Sequence, residues 1–477
     1  MKRSNKNKSV RNNSTHSFGK GLESLETRQM FSASPLDFYT VGNQLVCDLT
    51  GPSEQVSVVR SANGIQFNVN GQIENVAGNF SYLSVIAQSG NNSIVIGPNM
   101  NIGVTVWGGS GTDLLSTGAY DTTLRAGSGM ETLVALGSDD HMYGGAGYDN
   151  MWSNTNNYYS SGTGTLVKHF FNSFMNTSDG NLDGQNILEP ENTSEFEGNG
   201  WVNVSGDPLF TGNGPSLFDI NQGQCGDCYF MSGLGAIARV DPQQIRNNIT
   251  ALGDGTYAME FYNNGKPEFI RVDGWLASED GQNPFYAGLG VNYGQGGATW
   301  AALMEKGYAY FDSLIQGSTP NYTLIGNGGF GDPTLEQLLG NTAQGTYNTE
   351  FSEELGQSYF DNNPALFAGW VNWEMQQGKA IEIAFSNGES DTQDTFSLNN
   401  ILENNHEYTL ASETTNSSGV ITGFWVHNPW GVDIQNPNTL DFELAAAGHN
   451  CGANNGLVWV SVAQAFSVLD DIGACAV

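Results

Sequence analysis

The sequence predicts an α+β protein in two unlike parts, an all-β parallel roll followed by a mixed domain that is helical first and antiparallel β later. Three stretches carry that prediction. Residues 107–151 repeat with a period of nine. "CYFMSGLGAIARV" at 228–240 spaces its apolar residues as a helix does. "HEYTLASETTNSSGVITGFWVHNPWG" at 406–431 reads as two strands joined at "NSSG". At 477 residues, the chain is long enough for two or three separate cores.

The first 36 residues are set apart by charge. Lys and Arg number 16 against 49 Asp and Glu, a formal net charge of −33. Lys2, Arg3, Lys6, Lys8, Arg11, Lys20 and Arg28 all lie in this leading segment, so the body is more acidic still. Such a body repels nucleic acid and anionic membranes and attracts cations. Solubility in a salty medium and calcium binding both account for it. The leader has no apolar core, so it is no ordinary signal peptide. Its "LESLETRQMFSA" at 22–33 resembles a segment at the start of many large exported bacterial proteins. Extracellular or cell-surface location is therefore expected, with the cytoplasm as the alternative. No stretch reaches the roughly 18 apolar residues of a membrane span.

Residues 37–152 read as β structure ending in the repeat. Between 39 and 106, polar and β-branched residues alternate, as in "QVSVVRSANGIQFNVNG". The repeat itself runs "WGGSGTDLL", "STGAYDTTL", "RAGSGMETL", "VALGSDDHM", "YGGAGYDNM". A turn and a short strand every nine residues make a coil of eighteen, which stacks Gly108, Ala126 and Gly144 on one edge. The same step stacks Asp113, Glu131 and Asp149. The pattern is similar to the calcium-binding nonapeptide repeat of RTX proteins, and that resemblance implies calcium at Asp113, Glu131 and Asp149. The opposite edge carries Thr122 and Asp140 and is expected to contribute little.

Residues 153–205 turn to Asn, Ser, Gly and acid and read as a linker. Inside it, "DGNLDGQNILEPE" at 179–191 offers Asp179, Asn181 and Asp183 in the spacing of an EF-hand loop. Position twelve of that loop is Pro190, with Glu189 and Glu191 on either side, so the calcium match is partial.

The chemistry is concentrated in "NQGQCGDCYF" at 221–230. Cys225 and Cys228 admit three readings. Zinc requires further ligands, and no Cys lies between 228 and 451, which argues against it. A redox pair is possible but explains neither the preceding Gln nor the residues downstream. The third reading is a cysteine nucleophile at a helix start, with Asp227 as the N-cap and the helix dipole favouring thiolate. Gln222 would then aim its amide at an oxyanion, and Gly223 and Gly226 would allow a tight turn. A base is needed. A hairpin turning near Ser417 brings His406 opposite Asn428, or within one residue of it, and an Asn fixes the tautomer of an imidazole. Trp430 would shield that contact, and His427, on the other face, reads as structural.

These residues resemble the calpain protease core. "GPSLFDINQGQCGDCYFMSGLGAIA" is similar to its Q-G-x-x-G-D-C-[WY] signature, "TWAALMEKGYAYF" (299–311) to its W-x-x-L-x-E-K-A-Y-A helix, and "NPWG" to its Asn-Pro-Trp-Gly. "GTYAMEFYNNGKPEFIRVDGWL" (255–276) looks like the β segment between them. The resemblance covers 206–475 and implies a two-lobed papain-like domain, a helical lobe and then an antiparallel β lobe. It makes Cys228 the nucleophile, His406 the base, Asn428 its orienter and Gln222 the oxyanion donor. Three features depart from the family. Asn405 stands where Gly usually precedes the histidine, Asp273 is single where an acidic pair is usual, and Cys225 is atypical.

The sequence therefore predicts an exported, calcium-associated, calpain-like cysteine endopeptidase acting on proteins or peptides. The alternative is a calcium-dependent surface or matrix-binding protein with a silent protease domain.

Overall fold

The computed structural model describes residues 36–118, 121–176, 187–198, 200–211, 214–290, 297–329, 331–340, 357–386, 402–431 and 455–477. The leader and Asp179, Asn181 and Asp183 lie outside them.

The chain first winds into two facing sheets. One holds β1 (Leu36–Val41), β2 (Gln44–Leu49), β6 (Tyr82–Ile86), β8 (Gly103–Trp107), β10 (Thr122–Arg125), β12 (His141–Tyr143) and β14 (Tyr158–Ser160), in that order. The other runs β15 (Thr165–Phe170), β13 (Tyr148–Ser153), β11 (Thr132–Ala135), β9 (Leu114–Thr117), β7 (Ser93–Ile96), β3 (Gln55–Ser61), β4 (Gly64–Val69), β5 (Gln72–Ala77). From β6 onward, successive strands alternate between the sheets and pair in parallel, as a β-solenoid does. The eighteen-residue step is seen directly: Val104 pairs with Thr122, Thr123 with His141, Leu114 with Thr132, and Thr132 with Asn150. Every second residue enters a core of Val, Leu, Ile and Met, including Leu115, Leu124, Leu133, Met142 and Met151. The stacked turns need glycine: a Cβ on Gly127 would lie 1.9 Å from Gly109 O.

The roll does not stop at 152. β14 and β15 continue it to Phe170, into the segment expected to be a linker. The end of that segment belongs to the next domain, where Glu191 bridges to Asn321 and β16 (Gly200–Asn203) pairs with β20 (Trp275–Ser278). The roll also shares a core with that domain. Trp152, Phe171 and Phe174 pack with Leu252, Ala258 and Phe269. Trp152 stacks on His169 at 4.1 Å, and His169 Nδ1 meets Glu260 Oε2 at 2.8 Å.

After residue 205 two further cores form. The first surrounds α1 (Cys228–Val240), α3 (Trp300–Ile315) and the sheet of β17 (Ile249–Ala251), β18 (Thr256–Asn263) and β19 (Lys266–Asp273). The short α2 (Pro242–Asn248), α4 (Tyr322–Ile325) and α5 (Gly331–Leu339) complete it. The second core belongs to the antiparallel sheet β24 (Leu457–Ser461), β23 (Ile421–His427), β22 (His406–Thr415), β21 (Ala380–Phe385), β25 (Leu469–Cys475). α6 (Pro364–Gln376) and α7 (Val462–Ser467) pack against it. No helix among the described residues is long and apolar enough to cross a membrane.

Candidate active site

Cys228 opens α1, and that helix is tied to the strand that begins at His406. Ser232 Oγ donates to Glu407 O (3.0 Å), and Thr409 Oγ1 donates to Ser232 O (2.7 Å). The Glu407 amide also donates to the Cys228 sulfur. A third tie joins the loop before the helix to the loop after β23, where Gln222 N donates to Pro429 O at 2.7 Å. Cys228, His406, Asn428 and Gln222 are thereby gathered from three separated segments.

His406 Nε2 lies 2.9 Å from Asn428 Oδ1, which also accepts from Trp430 N at 3.1 Å. The amide oxygen can only accept, so Nε2 carries the hydrogen and Nδ1 keeps the lone pair. Trp430 lies beside the imidazole, with ring centroids 4.7 Å apart. The pairing is not the one expected. Thr409 pairs with His427, so the register places Tyr408, not His406, across from Asn428. Bulges near Ala411 and Thr422, one on each strand, cancel, and the offset comes from a turn centred on Ser418, one residue later than expected. His406 reaches Asn428 as a same-face diagonal neighbour, a separation that long side chains span. His427 is buried and meets the Phe218 ring edge-to-face, with centroids 5.8 Å apart.

The helix start does not lower the thiol. Cys228 keeps part of its surface open, but burial of the sulfur pushes its pKa up to about 12, with Glu407 and Asp227 adding to the effect. Burial likewise lowers His406 to about 4, against a smaller opposing effect of Asn428. The resting pair is neutral, because desolvation outweighs a dipole worth about 0.3–1 kcal/mol.

Asp227 occupies the N-cap position but makes no capping bond. Its Oδ1 takes Gln222 Nε2 at 3.3 Å, and the same nitrogen donates to Cys225 O at 2.5 Å. The glycines of this loop are needed for close approach: a Cβ on Gly223 would lie 2.0 Å from Tyr286 O, and one on Gly226 2.4 Å from Gly326 O.

Two departures from the family pattern have local causes. Asn405 has φ +51°, the left-handed region that glycine favours and Asn tolerates. The acid missing beside Asp273 comes from elsewhere: Lys306 Nζ binds Asp273 Oδ1 (2.7 Å) and Glu189 Oε2 (2.6 Å). Glu189, expected beside a calcium loop, is thus an ion-pair partner of a buried lysine. Sequence reasoning also missed Glu305, whose signal was a lone acid in an otherwise apolar helical run.

In the roll, Asp113, Glu131 and Asp149 stack as expected, but inward, each about 1% exposed. Asp113 accepts from the amides of Asn92 (2.8 Å) and Gly109 (2.9 Å), and Asp149 from those of Glu131 (3.3 Å) and Gly145 (2.6 Å). Burial, then Asp149, raises Glu131 to about 8. The opposite edge is not idle: Asp140 is fully buried, accepts from Thr122 N at 2.9 Å, and is raised by burial to about 7.

A half-open thiol at a helix start, tied to a strand whose histidine is held by an asparagine, is the arrangement of a cysteine peptidase. The calpain family cysteine protease model matches residues 189–438, and the chain belongs to that family. Among curated relatives, the calpain-2 catalytic subunits of Mus musculus and Homo sapiens are 30% identical over 129 residues, 24% of this chain and 17% of theirs. The calpain-1 catalytic subunit of Sus scrofa is 28% identical over 144 residues, 27% of this chain and 19% of its own. The match thus spans less than a fifth of each relative's length.

Proposed function

We propose that this chain is an exported, calcium-associated cysteine endopeptidase acting through Cys228, His406 and Asn428. The observation that carries the reading is the His406 Nε2 to Asn428 Oδ1 hydrogen bond, 2.9 Å, on the strand tied to the helix of Cys228. It directs the basic Nδ1 away from Asn428, ready for the thiol proton. Two cores after residue 205, one helical and one built on an antiparallel sheet, support a two-lobed papain-like domain.

Cys228 Sγ attacks the substrate carbonyl carbon while its proton passes to His406 Nδ1. The tetrahedral intermediate collapses to a thioester as the imidazolium gives that proton to the leaving amine. Water, deprotonated by the same nitrogen, then releases the acid and restores the thiol. The oxyanion would take the Cys228 backbone N–H and Gln222 Nε2. Its 3.3 Å bond to Asp227 is the weaker of the amide's two and the one to be redirected.

Calcium would enter at Asp113, Glu131 and Asp149, where it would neutralise buried acids. Hydrolysis of a quenched peptide by the full chain tests the enzyme reading. Cys228→Ala should abolish turnover and Cys225→Ser should retain most of it. His406→Ala should cost about 10²–10⁴-fold or more, and Asn428→Ala less. Inactivity of the folded wild-type chain with and without calcium favours the silent binding protein. Loss of turnover in Cys225→Ser but not in Cys228→Ala moves the nucleophile.

A further inference from the structure

Beneath the loop that carries Cys228, three side chains from two segments converge. One ligand atom each from Cys225, Asp227 and Glu305 lies within 4.8 Å of the others. All three residues are buried, 3%, 0% and 1% exposed. One oxygen of each carboxyl has a protein donor: Glu305 Oε2 accepts from Ala287 N at 2.9 Å, and Asp227 Oδ1 from Gln222 Nε2 at 3.3 Å. The other two, Asp227 Oδ2 and Glu305 Oε1, have no donor from a third group, although the two carboxyls lie within hydrogen-bonding reach of each other, and the neighbouring Gln222 Oε1 has no partner. Among the described residues no Lys, Arg or His pairs with either acid. The adjacent Lys306 is committed to Glu189, Asp273 and Trp275 O.

We propose that Cys225, Asp227 and Glu305 bind a thiophilic divalent cation of the zinc class. Two buried carboxyls without a counter-ion must share a proton or hold a cation, because an uncompensated buried charge is strongly unfavourable. A shared proton would bridge the two acids and leave the thiol with only the Tyr322 carbonyl at 3.7 Å. A divalent cation neutralises both carboxylates and takes the sulfur as thiolate, releasing its proton to solvent. Sulfur beside two oxygens suits zinc and excludes hard oxygen-seeking calcium. In tetrahedral zinc, sulfur and oxygen ligands stand about 3.5 Å apart, so the cluster needs to contract by about 1 Å. The ion would pin the 222–228 loop to α3. Cysteine spacing alone gives no hint of the site, since two ligands are carboxylates and one of them lies on a distant helix.

The test reads metal, not turnover, so it is separate from the protease reading. The full chain is purified without chelator, and its zinc is measured by plasma mass spectrometry. A Cys228→Ala version is then titrated with cadmium, following the ultraviolet thiolate-to-cadmium band, so that the nucleophile cannot be the ligand. Stoichiometric zinc is expected, with a cadmium band that survives Cys228→Ala and disappears in Cys225→Ser. Glu305→Gln, which keeps the acceptor for Ala287 N, should weaken cadmium binding by about tenfold or more. If Cys225→Ser fails to fold, Glu305→Gln carries the comparison. Absence of both stoichiometric zinc and a cadmium band in folded protein overturns the site in favour of a shared proton. So does a band that persists in Cys225→Ser, or unchanged affinity in Glu305→Gln.

Discussion

Asn405 shows how one backbone angle can account for an unusual residue. Its φ of +51° holds the start of β22 so that His406 faces Asn428, and its Oδ1 accepts from Ser386 Oγ at 2.6 Å. Asn405→Gly should keep both stability and turnover, whereas Asn405→Val should cost about 1–3 kcal/mol and lower turnover. Thermal unfolding and peptide hydrolysis check both. The letters of the site were legible because four separated motifs keep their order. The angle at 405 was not, since a single sequence reveals no φ. The protonation state was not legible either. A thiol raised to about 12 beside an imidazole lowered to about 4 follows from burial, which only packing reveals. Iodoacetamide modification of resting Cys228 should therefore rise steadily through pH 7–9 with no low-pH plateau, and a plateau near pH 6 would indicate a thiolate–imidazolium pair instead.

Between the elements, the hairpin and the roll teach opposite lessons. The roll was legible because its period is covalent: an eighteen-residue step fixes which turns stack, and the strand register follows it. The hairpin register was missed because the turn centres on Ser418 and not on Ser417, and one residue at a turn moves every cross-strand partner by two. The end of the roll was missed as well, since Asn-rich turns resemble a linker. There Asn157 replaces the carboxylate, accepting from Asp140 N at 3.0 Å. Because Asp113 and Asp149 hold backbone amides, alanine there would loosen the roll whether or not it binds calcium. Glu131→Gln removes a charge from the stack and keeps the one acceptor in use, Oε1, for Gly129 N at 3.2 Å. That variant should fold in chelator yet lose much of any stabilisation by millimolar calcium, measured as the thermal midpoint of the full chain. A calcium shift equal to wild type would place the ion elsewhere.

Across the whole molecule, the roll and the protease domain are joined by a shared core rather than a tether. Trp152→Ala would empty the stack on His169 and should cost about 3–5 kcal/mol. Unfolding should remain linked between roll and protease, so a single lowered transition is expected, and a lone early transition would show independent domains. The buried acids set a pH dependence. Asp140 and Glu189 near 7 and Glu131 near 8 are raised above their unfolded values, so their stabilisation is full below about pH 4 and is lost as pH rises from there through 7–8. His406 and His427, lowered to about 4, act oppositely, removing stability as pH falls below about 6.5. In chelator the thermal midpoint should rise from pH 8 to pH 6.5 and go on rising more slowly below it, because the two histidines offset only part of what the acids gain. The claim on which the functional account depends is that Cys228 is the nucleophile. A biotinylated peptidyl epoxide, incubated with the full chain with and without calcium and mapped by peptide mass spectrometry, tests it directly. The account predicts one adduct, on Cys228, absent in His406→Ala; an adduct on Cys225, or none on folded active protein, would contradict it.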